Sequence, residues 1–251
     1  MNIIQNFYNR LAGEYDKLFQ DWEAAVREQA EILDRIIRDG GFDRDTRILD
    51  CACGIGTQAI GLAALGYPVT ASDVSDGALA EARKRANSRG LRIRFEHADF
   101  RALSETFSEG FDAVIAMDNA LPHMLTGADL EAAVRSIVGQ TKAGGLIVAS
   151  IRDYDSLLEH KPPYAPPYIH TTDRGRRVCF QTWTWTGENY RLVQYIIEDE
   201  DRLQVGKFEC EYRAVRREEL TKLFLSCGCA DVTWHFPAET GFYQPVVTAR
   251  R

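Results

Sequence analysis

The sequence lacks any long uncharged hydrophobic run, and its first ten residues, MNIIQNFYNR, have no basic stretch followed by an apolar one. A membrane-spanning helix needs about 20 consecutive apolar residues, and a secretory leader needs that charge-then-apolar order. An excess of positive charge is also missing, because 37 acidic residues outnumber 30 basic ones and the net charge is −7. Nucleic-acid-binding domains usually present a basic stripe, so we expect neither a nucleic-acid nor a membrane partner. These absences predict a cytoplasmic protein.

Metal-ligand patterns are also scarce. The six cysteines include two C-x-C pairs, Cys51/Cys53 and Cys227/Cys229, but the sequence contains neither C-x₂-C nor H-x₃-H. Those two spacings are the usual ones of zinc sites. We therefore expect small, partly buried, reduced thiols and no metal site.

What the sequence does contain is a strand-turn-helix pattern at Arg47–Ala63, RILDCACGIGTQAIGLA. Asp50 and the pair Gly54 and Gly56 lie between its β-type and helical parts. Glycines at such a turn let the backbone approach a ligand closely, and the following helix presents free N–H groups. Asp73 ends the next apolar run, PVTASD, where a carboxylate can accept hydrogen bonds from both hydroxyls of a ribose. The pattern predicts a nucleoside-binding unit.

The glycine pattern alone fits more than one kind of protein. Gly54, Gly56 and Ala59 also match G-x-G-x-x-G/A, the dinucleotide pattern, which is weak by itself. An NAD-dependent oxidoreductase is therefore one alternative, although the sequence has no obvious Tyr-x-x-x-Lys after its fourth strand. A regulatory protein that binds a nucleoside cofactor without catalysing a reaction is another alternative.

Strand-type and helix-type segments alternate between residues 47 and 150, which predicts a parallel sheet with right-handed crossovers. Ligands on such sheets bind at the carboxyl ends of the strands. Five charged residues fall at or just after those predicted ends: Asp50, Asp73, Asp99, Asp118 and Arg152.

The pattern changes after Tyr154. The segment HKPPYAPPY cannot form the interior of a helix. Three β-type stretches follow it, at 177–185, 191–199 and 207–215. We predict a single domain, 1–251, with an N-terminal arm and amphipathic helix at 1–41 and an antiparallel lid insertion at 153–215.

The stretch from Asp50 through CACGIG resembles motif I of class I S-adenosylmethionine-dependent methyltransferases, an acid followed by x-G/A-C/T-G-x-G. The resemblance implies an α/β Rossmann-like sheet of seven strands, mostly parallel, with helices on both faces. The final strands, DVTWHF and QPVVTAR, would form the antiparallel hairpin of that fold. S-adenosylmethionine is the implied cofactor, with the backbone of Ala52–Gly54 along its methionine moiety and Asp50 at its amino end.

Further cofactor contacts follow from the same resemblance. Asp99 would accept from the adenine amine, the backbone N–H of Phe100 would meet a ring nitrogen, and an aromatic near Tyr15 would cover the cofactor. The implied cofactor-binding residues are Tyr15, Trp22, Asp50, Ala52, Gly54, Gly56, Asp73, Val74, Asp99, Phe100 and Met117.

Two segments resemble glycine and sarcosine N-methyltransferases more narrowly. VIAMDNALPHM resembles the segment in which a strand ends in an Asn followed four residues later by a His, here Asn119 and His123. IRDYD resembles their segment with an Arg for the substrate carboxylate and a nearby Tyr, here Arg152 and Tyr154. The family also places an arginine beside the cofactor carboxylate. The simplest register puts Ala25 at that position, and Arg27 is a displaced candidate.

These residues suit a small amine that carries a carboxylate. A guanidinium such as that of Arg152 grips a carboxylate through two parallel hydrogen bonds. The amine must lose a proton, and His123 is either its acceptor or a structural histidine. Trp183, Trp185 and Tyr243 either widen the acceptor pocket or pack the lid.

We therefore predict a methyltransferase that acts on the amine of a glycine- or sarcosine-like acceptor. A small-molecule O- or C-methyltransferase of the same fold is the principal alternative. The oligomeric state stays open.

Overall fold

The structure, a computed structural model, describes residues 3–199 and 202–251. The first two residues of the predicted arm 1–41, and residues 200 and 201 of the predicted insertion 153–215, lie outside this described part. Within residues 3–199 and 202–251, the structure contains two β-sheets and eight α-helices.

The larger sheet has seven strands in the order β10-β11-β5-β4-β1-β2-β3. Its strands are β1 Ile48–Asp50, β2 Val69–Asp73, β3 Arg94–His97, β4 Phe111–Ala116, β5 Thr141–Ser150, β10 Ala230–His235 and β11 Val246–Arg250. β1 to β5 run parallel, whereas β11 is antiparallel to both of its neighbours, β5 and β10. The predicted sheet, with its antiparallel C-terminal hairpin, is confirmed.

The helices are α1 Ile3–Leu11, α2 Trp22–Asp39, α3 Thr57–Ala64, α4 Asp76–Ser88, α5 Gly127–Gln140, α6 Tyr154–His160, α7 Arg217–Ser226 and α8 Pro237–Thr240. Asp21, Ser75 and Thr126 each accept a hydrogen bond from the backbone N–H three residues on, at the starts of α2, α4 and α5. Such caps satisfy N–H groups that have no partner inside the helix. Within the described residues, no helix combines the length and the apolar character needed to cross a membrane.

Helices α2 and α3 approach each other closely on one face of this sheet. A Cβ built on Gly61 of α3 would lie 2.6 Å from both the Ala30 Cβ and the Val26 carbonyl oxygen of α2. Only glycine permits this separation of the two helices, so their contact fixes the position of the turn that precedes α3.

The second sheet is antiparallel and has four strands in chain order. They are β6 Tyr164–Thr172, β7 Gly175–Thr186, β8 Asn189–Asp199 and β9 Leu203–Arg213. Three of the four were predicted, but β6 was not, because it contains Pro166 and Pro167. β6 is an edge strand whose register shifts between Ala165 and Tyr168, a position where proline costs few ladder hydrogen bonds.

The N-terminal segment, for which the sequence indicated no regular pattern, forms α1 and a following 3₁₀ helix at Ala12–Leu18. α1 packs between α4 and β9. The Asn9 side-chain oxygen accepts from the Gly77 N–H at 2.9 Å and from the Ser75 hydroxyl at 2.7 Å. The segment therefore joins the second sheet to the carboxyl edge of the first.

Candidate active site

A cavity opens at the carboxyl ends of β1, β2 and β4, next to α1 and the 3₁₀ helix that follows it. Nine of the predicted site residues line it: Tyr15, Ala52, Gly54, Asp73, Val74, Asp99, Phe100, Met117 and His123. Residues from distant parts of the chain thus meet at the edge of the sheet where the alternating pattern placed a ligand site.

The turn between β1 and α3 shapes the floor of this cavity. Gly54 and Gly56 have φ angles of +53° and +93°, in the left-handed region that disfavours other residues. A Cβ on Gly54 would meet no atom within 4 Å, so a ligand can lie directly against its backbone. Gly56 precedes the first residue of α3 and does not itself line the cavity.

Asp73 is held in place by backbone donors. One carboxylate oxygen accepts from the Gly54 N–H and the other from the Ser75 N–H, both at 2.9 Å. Each oxygen of a carboxylate can accept more than one hydrogen bond, so both retain the capacity to bind ribose hydroxyls. Burial raises the pKa of Asp73 and the backbone donors oppose that rise.

Asp50 lies beneath the turn and is fully buried. One carboxyl oxygen accepts from the Ala52 N–H at 3.4 Å, and the other has no hydrogen-bond partner within the described part of the chain. Burial raises the pKa of Asp50 to about 8, and the charges of Asp73 and Asp118 act in the same direction. Asp50 is not among the cavity-lining residues, so its contact with the cofactor's amino end stays a prediction.

Asp99 is engaged by an arginine that the sequence reading did not single out. Arg101 donates to the Asp99 carboxylate at 2.6 Å and to Asp129 at 2.8 Å, and Arg101 and Phe100 both line the cavity. Burial works to raise the pKa of Asp99, but the Arg101 hydrogen bonds outweigh it and hold that pKa below its usual value. An ionised Asp99 is an acceptor, as recognition of an adenine amine requires.

Trp22 lies behind the turn and does not line the cavity. Its indole N–H donates to the Thr57 hydroxyl at 3.1 Å, and the guanidinium groups of Arg85 and Arg89 cover its ring. This placement gives no support to the prediction that Trp22 contacts the cofactor. Arg27 is exposed on α2 and does not line the cavity either.

Arg152 lies just after β5 and contacts the second sheet, and it is not among the residues that line the cavity. Its guanidinium donates to the Tyr190 hydroxyl at 2.8 Å and to the Gln181 side-chain oxygen at 3.1 Å. The rings of Trp183 and Tyr212 lie 5.1 and 5.4 Å from its central carbon. All four partners are neutral, and Arg152 forms no ion pair among the residues that the structure describes.

Two other predicted residues support Arg152 without lining the cavity themselves. The Asn119 side-chain oxygen accepts from the Arg152 backbone N–H at 3.0 Å. Tyr154 is fully buried, and its hydroxyl lies 2.9 Å from that of Tyr190. Gln181 and Tyr190, which the sequence reading missed, lie on β7 and β8. The detectable signal was the period of two along those strands, which identifies inward-facing positions but not what they meet.

His123 lies where the cavity meets the second sheet. Its Nε2 is 2.8 Å from the Tyr8 hydroxyl of α1, and its ring packs against Tyr212 of β9 with centroids 4.2 Å apart. Burial lowers the pKa of His123 to about 3, and the charge of Arg152 adds to that effect. The imidazole is therefore neutral at physiological pH.

Residues 48–145 match a family model described as a methyltransferase domain. This segment includes the Gly54 turn, Asp73, Asp99 and His123, which all lie around the cavity. Residues 48–145 therefore form a methyltransferase domain, in agreement with the predicted resemblance to class I S-adenosylmethionine-dependent methyltransferases.

Two curated relatives extend this result. The glycine/sarcosine N-methyltransferase of Parasynechococcus marenigrum (strain WH8102) is 30% identical over 155 residues, covering 62% of this chain and 54% of that protein. The enzyme of the same name from Aphanothece halophytica is 27% identical over 231 residues, covering 92% of this chain and 82% of the relative. The match to the first relative thus spans about half of its length.

A solved structure supports the fold of the domain. The S-adenosylmethionine-bound amino pentose methyltransferase CalS10 from Micromonospora echinaspora superimposes with a TM-score of 0.76, at 21% identity and 95% coverage of both chains.

The cavity of this methyltransferase domain fits the cofactor of its class. The space above Gly54 admits a ligand against the backbone, and Asp73 keeps acceptor capacity for ribose hydroxyls. The unpartnered oxygen of Asp50 suits a nearby positively charged group. Asp73, Asp99 and the Gly54 turn are the residues that would hold S-adenosylmethionine.

Proposed function

We propose that this protein transfers a methyl group from S-adenosylmethionine to the amine of a small acceptor that carries a carboxylate, such as glycine or sarcosine. The observation that carries the proposal is the partly buried guanidinium of Arg152, which has only neutral partners.

A cation removed from water is costly unless a counter-charge or strong hydrogen bonds compensate it. Tyr190 and Gln181 each satisfy one terminal nitrogen of Arg152 while leaving its positive charge unpaired. The guanidinium also lies over the rings of Trp183 and Tyr212. A planar cation in this setting is suited to a carboxylate, which it binds through charge-assisted hydrogen bonds.

The second sheet covers the region in which the acceptor would bind. Gln181, Trp183, Tyr190 and Tyr212 all come from β7 to β9, whereas Arg152 follows the larger sheet. We infer that residues 153–215 act as a lid over the acceptor, because side chains from this segment contact Arg152, the residue that would bind the acceptor's carboxylate. Exclusion of water in such a site strengthens the contacts that orient the amine.

When bound, S-adenosylmethionine supplies a methyl group activated by a positively charged sulfur. The protein must position a neutral amine lone pair in line with the transferred group. His123 contributes as a neutral hydrogen-bonding side chain to Tyr8. Because the pKa of His123 is low, its imidazole is a weak base for the amine proton. This favours a structural role for His123 over a role as proton acceptor.

The names of the two curated relatives support the same acceptor class, since both are glycine/sarcosine N-methyltransferases.

The proposal is tested by transfer of a labelled methyl group to a panel of small amino acids, amines and phenols, with product analysis by mass spectrometry. We expect N-methylated amino acids, and Arg152→Ala should lower kcat/KM for them about 10- to 100-fold, as expected for hydrogen bonds to a charged group. Affinity for S-adenosylhomocysteine should not change in that variant.

The matched control is Arg191→Ala, which removes an exposed arginine of β8 paired with Glu209. It should leave the kinetics at wild-type values. Methylation of phenols with unchanged kinetics in Arg152→Ala would instead establish an O-methyltransferase and refute the carboxylate contact.

A further inference from the structure

Asp118 is a charged residue at the cavity that the family resemblance assigns to nothing. It follows β4 directly, lines the cavity and is partly accessible. Its carboxylate accepts from the Gln58 amide at 2.9 Å and from the Tyr243 hydroxyl at 2.8 Å. Both partners are neutral, and within the described residues Asp118 forms no ion pair.

The backbone around Asp118 is held in an uncommon conformation. Asp118 and Asn119 have φ angles of +53° and +67°, two consecutive non-glycine residues in the left-handed region. Such residues cost free energy and persist only where their surroundings impose them. Ser150 does so here, because its hydroxyl accepts from the Asp118 N–H at 2.8 Å and its carbonyl from the Asn119 N–H at 3.2 Å.

This turn connects Asp118 to Arg152. Asn119 follows Asp118 and accepts from the Arg152 backbone N–H, so one short turn fixes both charged residues against the end of β5. The turn therefore places an anion and a cation, neither of which forms an ion pair within the described residues, at the same end of β5. The pKa of Tyr15, which lines the cavity, is raised most by burial, further by the Asp118 charge, and is lowered by the Arg152 charge.

We propose that Asp118 binds the ammonium group of the acceptor while Arg152 binds its carboxylate, so that the site selects zwitterionic amino acids. This inference rests on the proposed function and adds a second charged contact to it. Opposite charges that do not pair with each other are complementary to a ligand that carries both.

The contact between Asp118 and the acceptor's nitrogen also provides a base that removes the amine's proton. The acceptor's N–H bond breaks, an O–H bond forms on the Asp118 carboxylate, and the nitrogen keeps the electron pair. The nitrogen then bonds the methyl carbon while the carbon–sulfur bond of the methyl donor breaks, and the sulfur leaves with that bond's electrons as a neutral thioether. The positive charge lost from the ammonium cancels the carboxylate charge, and the protonated carboxyl group later releases its proton to solvent. Burial raises the pKa of Asp118, although the Gln58 and Tyr243 hydrogen bonds oppose it, and this makes the carboxylate a better proton acceptor than an exposed one.

The test compares wild-type protein with Asp118→Asn, using glycine and sarcosine as acceptors and acetate as a probe that has the carboxylate but no amine. Methyl transfer, inhibition by acetate and calorimetric binding of S-adenosylhomocysteine are measured. We expect kcat/KM for glycine and sarcosine to fall about 10- to 100-fold in Asp118→Asn. Inhibition by acetate and affinity for S-adenosylhomocysteine should stay at wild-type values.

Two further variants keep the test decisive. Asp112→Asn, at the opposite end of β4 and paired with Lys142, is the matched control and should show wild-type kinetics. Tyr243→Phe removes one donor to Asp118 from an exposed side chain and should lower kcat/KM about 2- to 10-fold. If Asp118→Asn does not fold, unchanged kinetics in Tyr243→Phe overturns the proposal.

The outcomes separate this inference from the function on which it rests. Wild-type transfer to glycine or sarcosine with unchanged kinetics in Asp118→Asn would overturn only the role of Asp118. A loss of S-adenosylhomocysteine affinity in that variant would place Asp118 in the cofactor site and also overturn it. If the wild-type protein methylates neither amino acid, the proposed function fails and this inference fails with it.

Discussion

The proposed cofactor side and the proposed acceptor side of this site are built in different ways. The cofactor side is made of short chain segments at the ends of neighbouring parallel strands, including the Gly54 turn and Asp73. The acceptor side joins Arg152 to side chains from β7, β8 and β9 of a separate sheet. One side therefore depends on local backbone geometry, and the other on contacts between two sheets.

This difference has a functional consequence. The cofactor side presents backbone donors and fixed carboxylates, which suit a ligand shared by a whole class of enzymes. The acceptor side presents long side chains whose identity can change without altering the larger sheet. We therefore expect substitutions on each side to affect one ligand and leave the other largely unaffected.

The largest expected effect on the cofactor side comes from Asp73→Asn. Replacing a carboxylate that accepts from Gly54 and Ser75 should weaken binding of S-adenosylhomocysteine about 10- to 100-fold, measured by calorimetry. Asp76→Asn, an exposed residue at the start of α4, is its control and should bind normally. Equal affinity in Asp73→Asn and wild-type protein would remove Asp73 from the cofactor site.

The next prediction concerns the packing of α2 against α3, which positions the turn at Gly54. Gly61→Ala places a methyl group against Val26 and Ala30, and such overpacking should lower the free energy of unfolding by about 1–3 kcal/mol. Gly139→Ala, in α5 with nothing within 4 Å of its added Cβ, should instead raise it by about 0.4–1 kcal/mol. Urea denaturation measures both, and equal midpoints would contradict the close contact of α2 with α3.

The smallest effect is expected from Tyr190→Phe on the acceptor side. It removes the hydroxyl that contacts both Arg152 and Tyr154, so KM for the acceptor should rise about 3- to 10-fold while cofactor affinity is unchanged. Tyr195→Phe on the same strand, whose ring stacks on Phe180, serves as the control. A loss of cofactor affinity in Tyr190→Phe would show that the two sides are not independent.

The same contrast explains what the sequence could predict. Gly54 and Asp73 follow from local spacing, because Gly54 lies in the turn after β1 and Asp73 is the last residue of β2. Asp118 was placed at a strand end in the same way, but its partner Tyr243 is 125 residues away. No local signal identifies that pair.

The elements that were missed depend on long-range contacts. α1 has apolar residues at helical spacing, including Phe7 and Leu11, but it is only nine residues long and is held by α4 and β9. β6 contains two prolines that argue against a strand, and it is tolerated only because it lies at an edge. The contact of Tyr190 with Arg152 depends on how the second sheet packs against the first, which alternation along one strand does not specify.

The most direct test of the account compares each small amino acid with its own amide as the methyl acceptor for the wild-type protein. The two compounds differ in the carboxylate, and the less basic amine of the amide favours transfer to the amide. A higher kcat/KM for the acid therefore reports the contact of its carboxylate with Arg152. We predict that the acid is preferred about 10- to 100-fold and that the methyl group is found on its nitrogen. Equal turnover of acid and amide would contradict the proposed role of Arg152.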